Sequence, residues 1–253
     1  MIKMIVTDLD DTLLRRDRSI SDFTKEVFAE CRKKGILTAF ATARVAVSAT
    51  EELVPLPVDI RIVSNGAMAI CGERELYFNG IEAEAANRLI TRLKQSGASD
   101  ILVSCRKEAF WESDRIAGSA VLRRAVWCDF SKPLTRAADQ ICFILSDQEA
   151  VRQLKEEFSE YAWISYRDGS HAAAQKGVSK LYGIKRTAAL YGIKLSEIAA
   201  FGDDAGDCEM LTHCGIGIAV DNSVPEAKKA ANHVTASNEE DGVARFIRDR
   251  LLQ

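Results

Sequence analysis

The sequence predicts an α/β protein in which a doubly wound parallel sheet carries a second α/β domain inserted into it. Two observations indicate this fold class. Short apolar runs alternate with amphipathic helical patterns, and the pattern changes character between residues 79 and 175, where all three tryptophans fall. We therefore expect a core domain made of residues 1–78 and 176–253, with residues 79–175 as the inserted domain. Both junctions lie next to turn residues, Gly80 and Gly169, where insertions are tolerated.

Each expected element of the core is bounded by a turn or a cap residue. In chain order they are a strand at 4–7, a helix from Ser21 to Lys33, a strand at 36–41, a helix that opens at 42–44 and ends before Pro55, a strand at 60–63, a helix at 178–191, a strand at 198–201, a helix that reaches 211 and a strand at 216–220. In the inserted domain we expect helices at 82–96 and 147–159, and strands at 101–105, 108–113, 139–145 and 161–166.

Composition excludes several classes of partner. The 253 residues include 34 Lys and Arg against 37 Asp and Glu, a net charge of −3, so no global basic field for nucleic acid exists. No apolar run reaches the roughly 18 residues of a membrane span, and the first six residues lead into acidic residues as a strand would, not a signal peptide. Seven scattered cysteines without a Cys-x-x-Cys pair favour a reducing cytoplasm. We expect a cytoplasmic monomer.

Carboxylates cluster after two of the expected strands. The first cluster is Asp8-Leu9-Asp10-Asp11-Thr12-Leu13, and the second is Gly202-Asp203-Asp204-Ala205-Gly206-Asp207. Ligands bind at the carboxyl ends of strands in open α/β sheets, and crowded carboxylates repel one another unless a cation or protons neutralise them. Mg²⁺, which prefers oxygen ligands, suits such a site. The alternative for each cluster is an acidic surface turn. A calcium loop is excluded, because Ser19 stands where its bidentate Glu is required.

Two further motifs suggest a phosphate site. Thr42-Ala43-Arg44 follows a buried strand, where a hydroxyl and backbone N–H groups at a helix start can bind an anion. Lys180 lies near the start of another helix, where the helix dipole disfavours a cation, so a bound phosphate could hold it there. Taken singly, an N-cap threonine, a solvated arginine and a solvated lysine explain these residues better than a phosphate site does.

The four motifs together resemble the haloacid dehalogenase superfamily of phosphatases, and within it the Cof-type, subfamily IIB group with a large inserted cap. Residues 8–13 are similar to the first family motif, 41–44 to the second, Lys180 to the third and 202–207 to the fourth, while the tail from Asn222 to Val243 also resembles that group. The resemblance extends over essentially the whole chain. It implies a Rossmann-like core with a C2-type cap domain.

The resemblance also implies catalytic roles. Asp8 would be the nucleophile that forms an aspartyl-phosphate, and Asp10 would protonate the leaving alcohol and then deprotonate the attacking water. Mg²⁺ would be held by the Asp8 carboxylate, the backbone carbonyl of Asp10 and the Asp203 carboxylate.

Phosphate contacts and supporting residues follow from the same resemblance. Thr42 and Lys180 would bind the phosphoryl oxygens together with Ala43 and Arg44. Asp207 would orient Lys180 or a metal-bound water, and Asp204 would support the same site.

The expected function is Mg²⁺-dependent hydrolysis of small phosphomonoesters, with sugar phosphates as the expected substrates. A phosphotransferase or phosphomutase on the same scaffold and a non-catalytic phospholigand-binding protein are the alternatives. Three departures from the family pattern bear on turnover: Ala43 and Leu181 stand where relatives usually have Gly, and Gly206 stands where they have an Asn that binds phosphate.

The inserted domain is expected to act as a lid that excludes water and contacts the leaving group. Trp111, Arg115, Arg123 and His171 are its candidate substrate contacts, and for each a structural or solvated role is the stronger interpretation.

Overall fold

The computed structural model describes residues 1–50, 54–112, 125–166 and 169–253. The described chain divides into two units. The first unit consists of Met1–Ala43, Thr50–Tyr77 and Ser179–Gln253, and the second consists of Arg44–Ala49 and Phe78–Val178. The interpretation of these units as a hydrolase core and a cap stays a prediction.

Strands and helices alternate along most of the chain. The strands are β1 (Met4–Thr7), β2 (Leu37–Ala41), β3 (Ile60–Val63), β4 (Met68–Cys71), β5 (Arg74–Phe78), β6 (Ser99–Cys105), β7 (Glu108–Glu112), β8 (Val126–Trp127), β9 (Gln140–Ile144), β10 (Tyr161–Ser165), β11 (Ser170–Gln175), β12 (Ile198–Gly202), β13 (Ile216–Ala219) and β14 (His233–Val234). The α-helices are α1 (Asp22–Lys33), α2 (Ala83–Gln95), α3 (Gln148–Glu157), α4 (Lys180–Leu190), α5 (Cys208–His213), α6 (Pro225–Ala230) and α7 (Gly242–Phe246), which continues as a π-helical turn over Ile247–Leu251.

The first unit is built on an eight-stranded sheet with the order β14-β13-β12-β1-β2-β3-β4-β5. Neighbouring strands from β14 to β3 run parallel, and β4 runs antiparallel to β3. Thr7, the last residue of β1, pairs with Phe201 of β12 on one side and with Phe40 of β2 on the other. Because parallel strands end at the same edge of a sheet, the segments that follow β1 and β12 lie side by side.

Helices cover both faces of this sheet. Alternate residues of the central strands, such as Met4 and Ala200, pack with Leu181 of α4 and Met210 of α5 in one core cluster. On the other face α1 contacts β2 and α7, and the ring of Phe201 lies 5.9 Å from that of Phe246 at the end of α7. The expected α/β fold with a doubly wound sheet is confirmed.

The start of α1 shows why the local sequence folds as predicted. Ser21 is extended, and its side chain accepts a hydrogen bond from the backbone N–H of Thr24 at 3.0 Å. This bond satisfies one of the N–H groups that a helix start leaves unpaired. The buried residues Val27, Phe28 and Cys31 recur at helical spacing on the face that packs inward.

The prediction that a helix opens at Thr42 is wrong. Within residues 42–50, which the structure describes, the chain forms a three-residue 3₁₀ turn at Ala46–Ser48, preceded by an extended Val45. Val45 and Val47 are buried against Ala109 in a small cluster of the second unit. This burial overrides the local helical pattern, since β-branched residues have only a weak helix preference.

The second unit carries a six-stranded sheet with the order β10-β11-β9-β6-β7-β8. Its described pairings are antiparallel except for β7 with β8. Residues from one sheet face, among them Val103 and Phe143, form a core cluster with Leu89 of α2 and Leu154 of α3. Each expected helix and strand of this unit lies within a few residues of its expected range, whereas β8 and β11 were not predicted.

None of the helices in the described part of the chain combines the length and the apolar content that a membrane span requires.

The turn between β3 and β4 is in backbone contact with the first turn of α4. Gly66 has φ +98°, and a Cβ atom there would lie 2.0 Å from the carbonyl oxygen of Ser179. A Cβ atom on Gly183 would lie 2.5 Å from the Ile62 side chain and 3.0 Å from the Cα atom of Gly66. The hydroxyl of Tyr77 donates to the Gly66 carbonyl at 2.9 Å. Two glycines thus let this turn fix the beginning of α4, where Lys180 lies.

Candidate active site

Two acidic turns meet at the carboxyl edge of the first unit's sheet. Asp8 follows β1 and extends the strand pairing, because its backbone N–H donates to the carbonyl of Phe201 at 2.9 Å. Asp203 follows β12. One carboxylate oxygen each from Asp8, Asp203 and Asp207 lies within 4.8 Å of the others, and all three residues are buried. The two distant acidic segments of the sequence therefore form one cluster.

Lys180, the first residue of α4, is buried between two of these carboxylates. Its Nζ lies 2.8 Å from Asp8 Oδ1 and 2.7 Å from Asp207 Oδ1. The sequence suggested that a phosphate holds this lysine at the unfavourable end of a helix dipole. The structure shows that two carboxylates hold it there.

Asp207 uses both of its carboxylate oxygens within the protein. Oδ1 accepts from Lys180, and Oδ2 accepts from the backbone N–H groups of Asp203 at 3.0 Å and Asp204 at 3.1 Å. Gly202 gives Asp207 the space it needs, because a Cβ atom at 202 would lie 2.5 Å from the Asp207 Cβ. Asp207 thus braces the turn that carries Asp203 and orients Lys180 at the same time.

Burial and mutual repulsion change the pKa values of these groups. Burial, which the charge of Lys180 only partly offsets, raises the pKa of Asp8 to about 8. Burial also raises the pKa of Asp203 to about 6, although its hydrogen bond with Thr12 acts in the opposite direction. Burial alone would lower the pKa of Lys180, but Asp207 and Asp8 outweigh it and raise that pKa. The lysine therefore carries its charge at neutral pH.

The loop after Asp8 contains one contact that sequence reasoning missed. Thr12 is fully buried, and its hydroxyl donates to Asp203 Oδ1 at 2.6 Å. Asp10 is exposed, and Asp11 has a left-handed backbone with φ +58°. Thr12 stands inside the first acidic motif, but nothing in the motif indicated which distant acid its hydroxyl would bind.

The expected phosphate-binding segment is divided between the two units. Thr42 and Ala43 belong to the first unit, and Arg44 belongs to the second. Thr42 is buried and takes part in backbone bonding next to β3, since its carbonyl accepts from the N–H of Asn65 at 2.9 Å. Arg44 donates to the carbonyl of Ser48 at 3.4 Å. Because no helix begins here, a helix N-terminus does not contribute to an anion site at Thr42.

The candidate substrate contacts of the second unit that are described are buried. Trp111 is 8% exposed in β7 and His171 is 5% exposed in β11. The His171 Nδ1 lies 3.0 Å from the hydroxyl of Ser165. Arg115 and Arg123 lie outside the described residues.

The donor set of the acidic cluster fits Mg²⁺. Lys180 engages Oδ1 of Asp8 and Thr12 engages Oδ1 of Asp203, which leaves the second oxygen of each carboxylate as a ligand atom. Both oxygens of Asp207 are engaged, so Asp207 is the supporting member of the three. The raised pKa values of Asp8 and Asp203 express the cost of placing negative charge in a buried site. A hard divalent cation with oxygen ligands would offset that cost.

The chain is similar to known proteins along almost its whole length. Residues 5–247 match the family model described as haloacid dehalogenase-like hydrolase. The chain is 25% identical over 266 residues to the 5-amino-6-(5-phospho-D-ribitylamino)uracil phosphatase YitU of Bacillus subtilis, covering 97% of this chain and 96% of the relative. It is 26% identical over 292 residues to the phosphatase YwtE of the same organism, which bears the same functional name, covering 99% and 98%.

Solved structures show the same fold. The HAD subclass IIB sugar phosphatase BT4131 superposes with a TM-score of 0.84 at 22% identity, covering 99% of this chain and 100% of that one. TM0651 from Thermotoga maritima gives a TM-score of 0.84 at 21% identity, covering 98% and 97%. The chain therefore belongs to the haloacid dehalogenase-like hydrolase family, and the expectation of a phosphatase of this family is confirmed.

Proposed function

We propose that this protein is a Mg²⁺-dependent phosphatase that hydrolyses phosphate esters of sugars or sugar alcohols through an aspartyl-phosphate on Asp8. The observation that carries the proposal is the buried ammonium group of Lys180, which lies 2.8 Å from Oδ1 of Asp8, a member of the cluster that also contains Asp203. A phosphate that approaches Asp8 meets a fixed positive charge at the oxygen that would attack it. Such preorganised charge is the main means by which proteins promote phosphoryl transfer.

The chemistry assigned to the chain has two steps. In the first, Asp8 Oδ1 attacks phosphorus, the bond from phosphorus to the substrate oxygen breaks, and Asp10 gives a proton to the departing alcohol. In the second, Asp10 takes a proton from a water that attacks the same phosphorus, which releases inorganic phosphate and restores Asp8. Asp10 is suited to both proton transfers because it is exposed on the loop two residues after the nucleophile.

Other residues hold these participants in place. Lys180 binds a phosphoryl oxygen as negative charge develops, and Asp207 keeps the lysine in position at 2.7 Å. Mg²⁺, when bound by Asp8, Asp203 and the backbone carbonyl of Asp10, would neutralise phosphoryl charge and so allow a carboxylate to approach phosphorus. Thr42, Ala43 and Arg44 stay predictions as further phosphate contacts.

The names of relatives support the substrate class. YitU and YwtE are named for a substrate with a phosphorylated ribityl chain, and BT4131 is named a sugar phosphatase. The phosphorylated ribityl compound and a sugar phosphate are both phosphomonoesters on a polyhydroxylated carbon chain.

The test is release of inorganic phosphate from p-nitrophenyl phosphate and from a panel of sugar and sugar-alcohol phosphates. We expect Asp8→Asn to lower the rate at least about a thousandfold and EDTA to abolish it until Mg²⁺ is restored. Asp22→Asn is the matched control, because Asp22 is an exposed carboxylate on α1 and its loss should leave the rate unchanged. Full activity in Asp8→Asn, or equal rates with and without EDTA, would exclude the proposal.

A further inference from the structure

We infer that Asn222 and Asn238 are a positioning pair that holds the loop carrying Asp10 against the turn carrying Asp203. This inference rests on the proposed function, since it assigns the pair its role through those two acids. Neither asparagine belongs to the acidic cluster, and each acts on backbone groups of the loop rather than on the reacting atoms.

Three consecutive residues contact both acidic turns. The side-chain N–H of Asn222 donates to the backbone carbonyl of Asp11 at 2.6 Å. The hydroxyl of Ser223 donates to the carbonyl of Gly202 at 3.2 Å, and the N–H of Val224 donates to the carbonyl of Asp203 at 2.9 Å. The segment 222–224 therefore links the two turns whose spacing sets the geometry of the proposed metal site.

Asn238 fixes the orientation of Asn222. Its backbone N–H donates to Asn222 Oδ1 at 3.0 Å, which directs the amide N–H₂ group of Asn222 toward Asp11. The side chain of Asn238 is itself buried and donates to the carbonyl of Leu14 at 2.8 Å. The pair thus binds the loop at two carbonyls, that of Asp11 just after Asp10 and that of Leu14 at the end of the same loop.

The loop needs such support because of its own backbone. The backbone of Asp11 is left-handed, with φ +58°, a conformation that residues with a side chain adopt at a cost. Asp11 lies between Asp10 and Thr12, and Thr12 reaches Asp203 at 2.6 Å. If the Asp11 peptide turns, the positions of Asp10 and Thr12 change with it.

The test compares Asn222→Ala with Asn232→Ala in the full chain. Asn232 is a matched control, because its side-chain oxygen also binds a backbone group, the N–H of Gly217 at 2.7 Å, away from the loop. Hydrogen exchange of residues 9–14 and calorimetric Mg²⁺ titration are the two readouts. In Asn222→Ala we expect exchange at 9–14 to accelerate and the Mg²⁺ dissociation constant to rise, each by about three- to tenfold, the effect of one hydrogen bond. In Asn232→Ala both should match the wild type.

Unchanged exchange at 9–14 in Asn222→Ala, acceleration spread equally over β1 and β12, or the same Mg²⁺ effect in Asn232→Ala would overturn the inference. If Asn222→Ala does not fold, Asn222→Asp replaces it, because an aspartate keeps an oxygen for the Asn238 N–H and puts a charged acceptor in place of the donor. Its exchange at 9–14 is then decisive. Neither readout needs turnover. A wild type that releases no phosphate would refute the proposed function without deciding this inference.

Discussion

Replacing Lys180 with methionine removes the ammonium group between Asp8 and Asp207 and leaves two buried carboxylates without it. At 2.7 and 2.8 Å, each attraction amounts to about 6 kcal/mol at an effective dielectric constant of about 20. The cost of burying the ammonium offsets much of this, so breaking such a group by removing one partner lowers the free energy of unfolding by about 3–5 kcal/mol. Because the pKa of Asp8 in metal-free protein is raised to about 8, Asp8 is mostly protonated at pH 7 and only the attraction to Asp207 is lost in full. We therefore expect a loss near the lower value at neutral pH.

Urea denaturation followed by circular dichroism measures this loss in metal-free protein. Lys185→Met is the control, because Lys185 is exposed one turn later on α4 and its replacement should change stability by less than about 0.5 kcal/mol. Adding Asp207→Asn to Lys180→Met should cost less than the sum of the two single variants, by about 0.5–3 kcal/mol. Phosphate release should fall about a hundredfold or more in Lys180→Met.

The reasoning is refuted if Lys180→Met is as stable as the Lys185→Met control, or if the double variant is strictly additive. Either result would mean that the short distances from Lys180 to its two carboxylates do not correspond to an energetic coupling.

Three further predictions concern the same cluster. In metal-free protein the raised pKa values of Asp203 (about 6) and Asp8 (about 8) mean that the folded state binds protons more tightly than the unfolded state, whose carboxyl pKa is 3.8. The contribution of these two groups to stability should be full below about pH 4 and should decline as pH rises to about 8. Because both carboxylates are then charged, Mg²⁺ should raise the melting temperature more at pH 8 than at pH 5, and equal shifts would contradict this. A Cβ atom at position 202 would lie 2.5 Å from the Asp207 Cβ, so Gly202→Ala should displace Asp207. We expect this variant to lose about 1–3 kcal/mol of stability and to release phosphate more slowly. Gly206→Asn should fold with unchanged stability because nothing lies within 4 Å of its Cβ position, and it should lower KM by about two- to tenfold if the added amide binds phosphate; a loss of stability would show that the turn rejects a side chain.

Much of the fold is readable from the sequence because short-range signals agree with tertiary packing. Ser21 caps α1 as its hydroxyl predicts, and the apolar run at 4–7 becomes the buried strand β1. The segment after β2 shows the limit of this reasoning. Thr42-Ala43-Arg44 has a helix-start pattern, yet burial of Val45 and Val47 against Ala109 accompanies an extended residue followed by a 3₁₀ turn. No local pattern indicates a contact with a strand more than sixty residues away.

The candidate site was predictable as a set of residues but not as a network. The meeting of the Asp8 and Asp203 turns follows from parallel strands ending at one edge. The bonds of Thr12 to Asp203 and of Asn222 to Asp11 do not follow, because they join segments about 190 and 210 residues apart through single hydroxyl and amide groups. Hydroxyls and amides are common on loops, so their hydrogen-bond partners can be identified only in the folded structure.

The backbone contact between Gly66 and Gly183 constrains how this protein can vary. A methyl group at either position would strike the opposing main chain or the Ile62 side chain, so a substitution at one glycine cannot be relieved by repacking at the other. Movement of the first turn of α4 would shift Lys180 by the same distance. Under the proposed function, a larger residue at either position would therefore disturb the positive charge that Lys180 places beside Asp8, although neither glycine belongs to the acidic cluster.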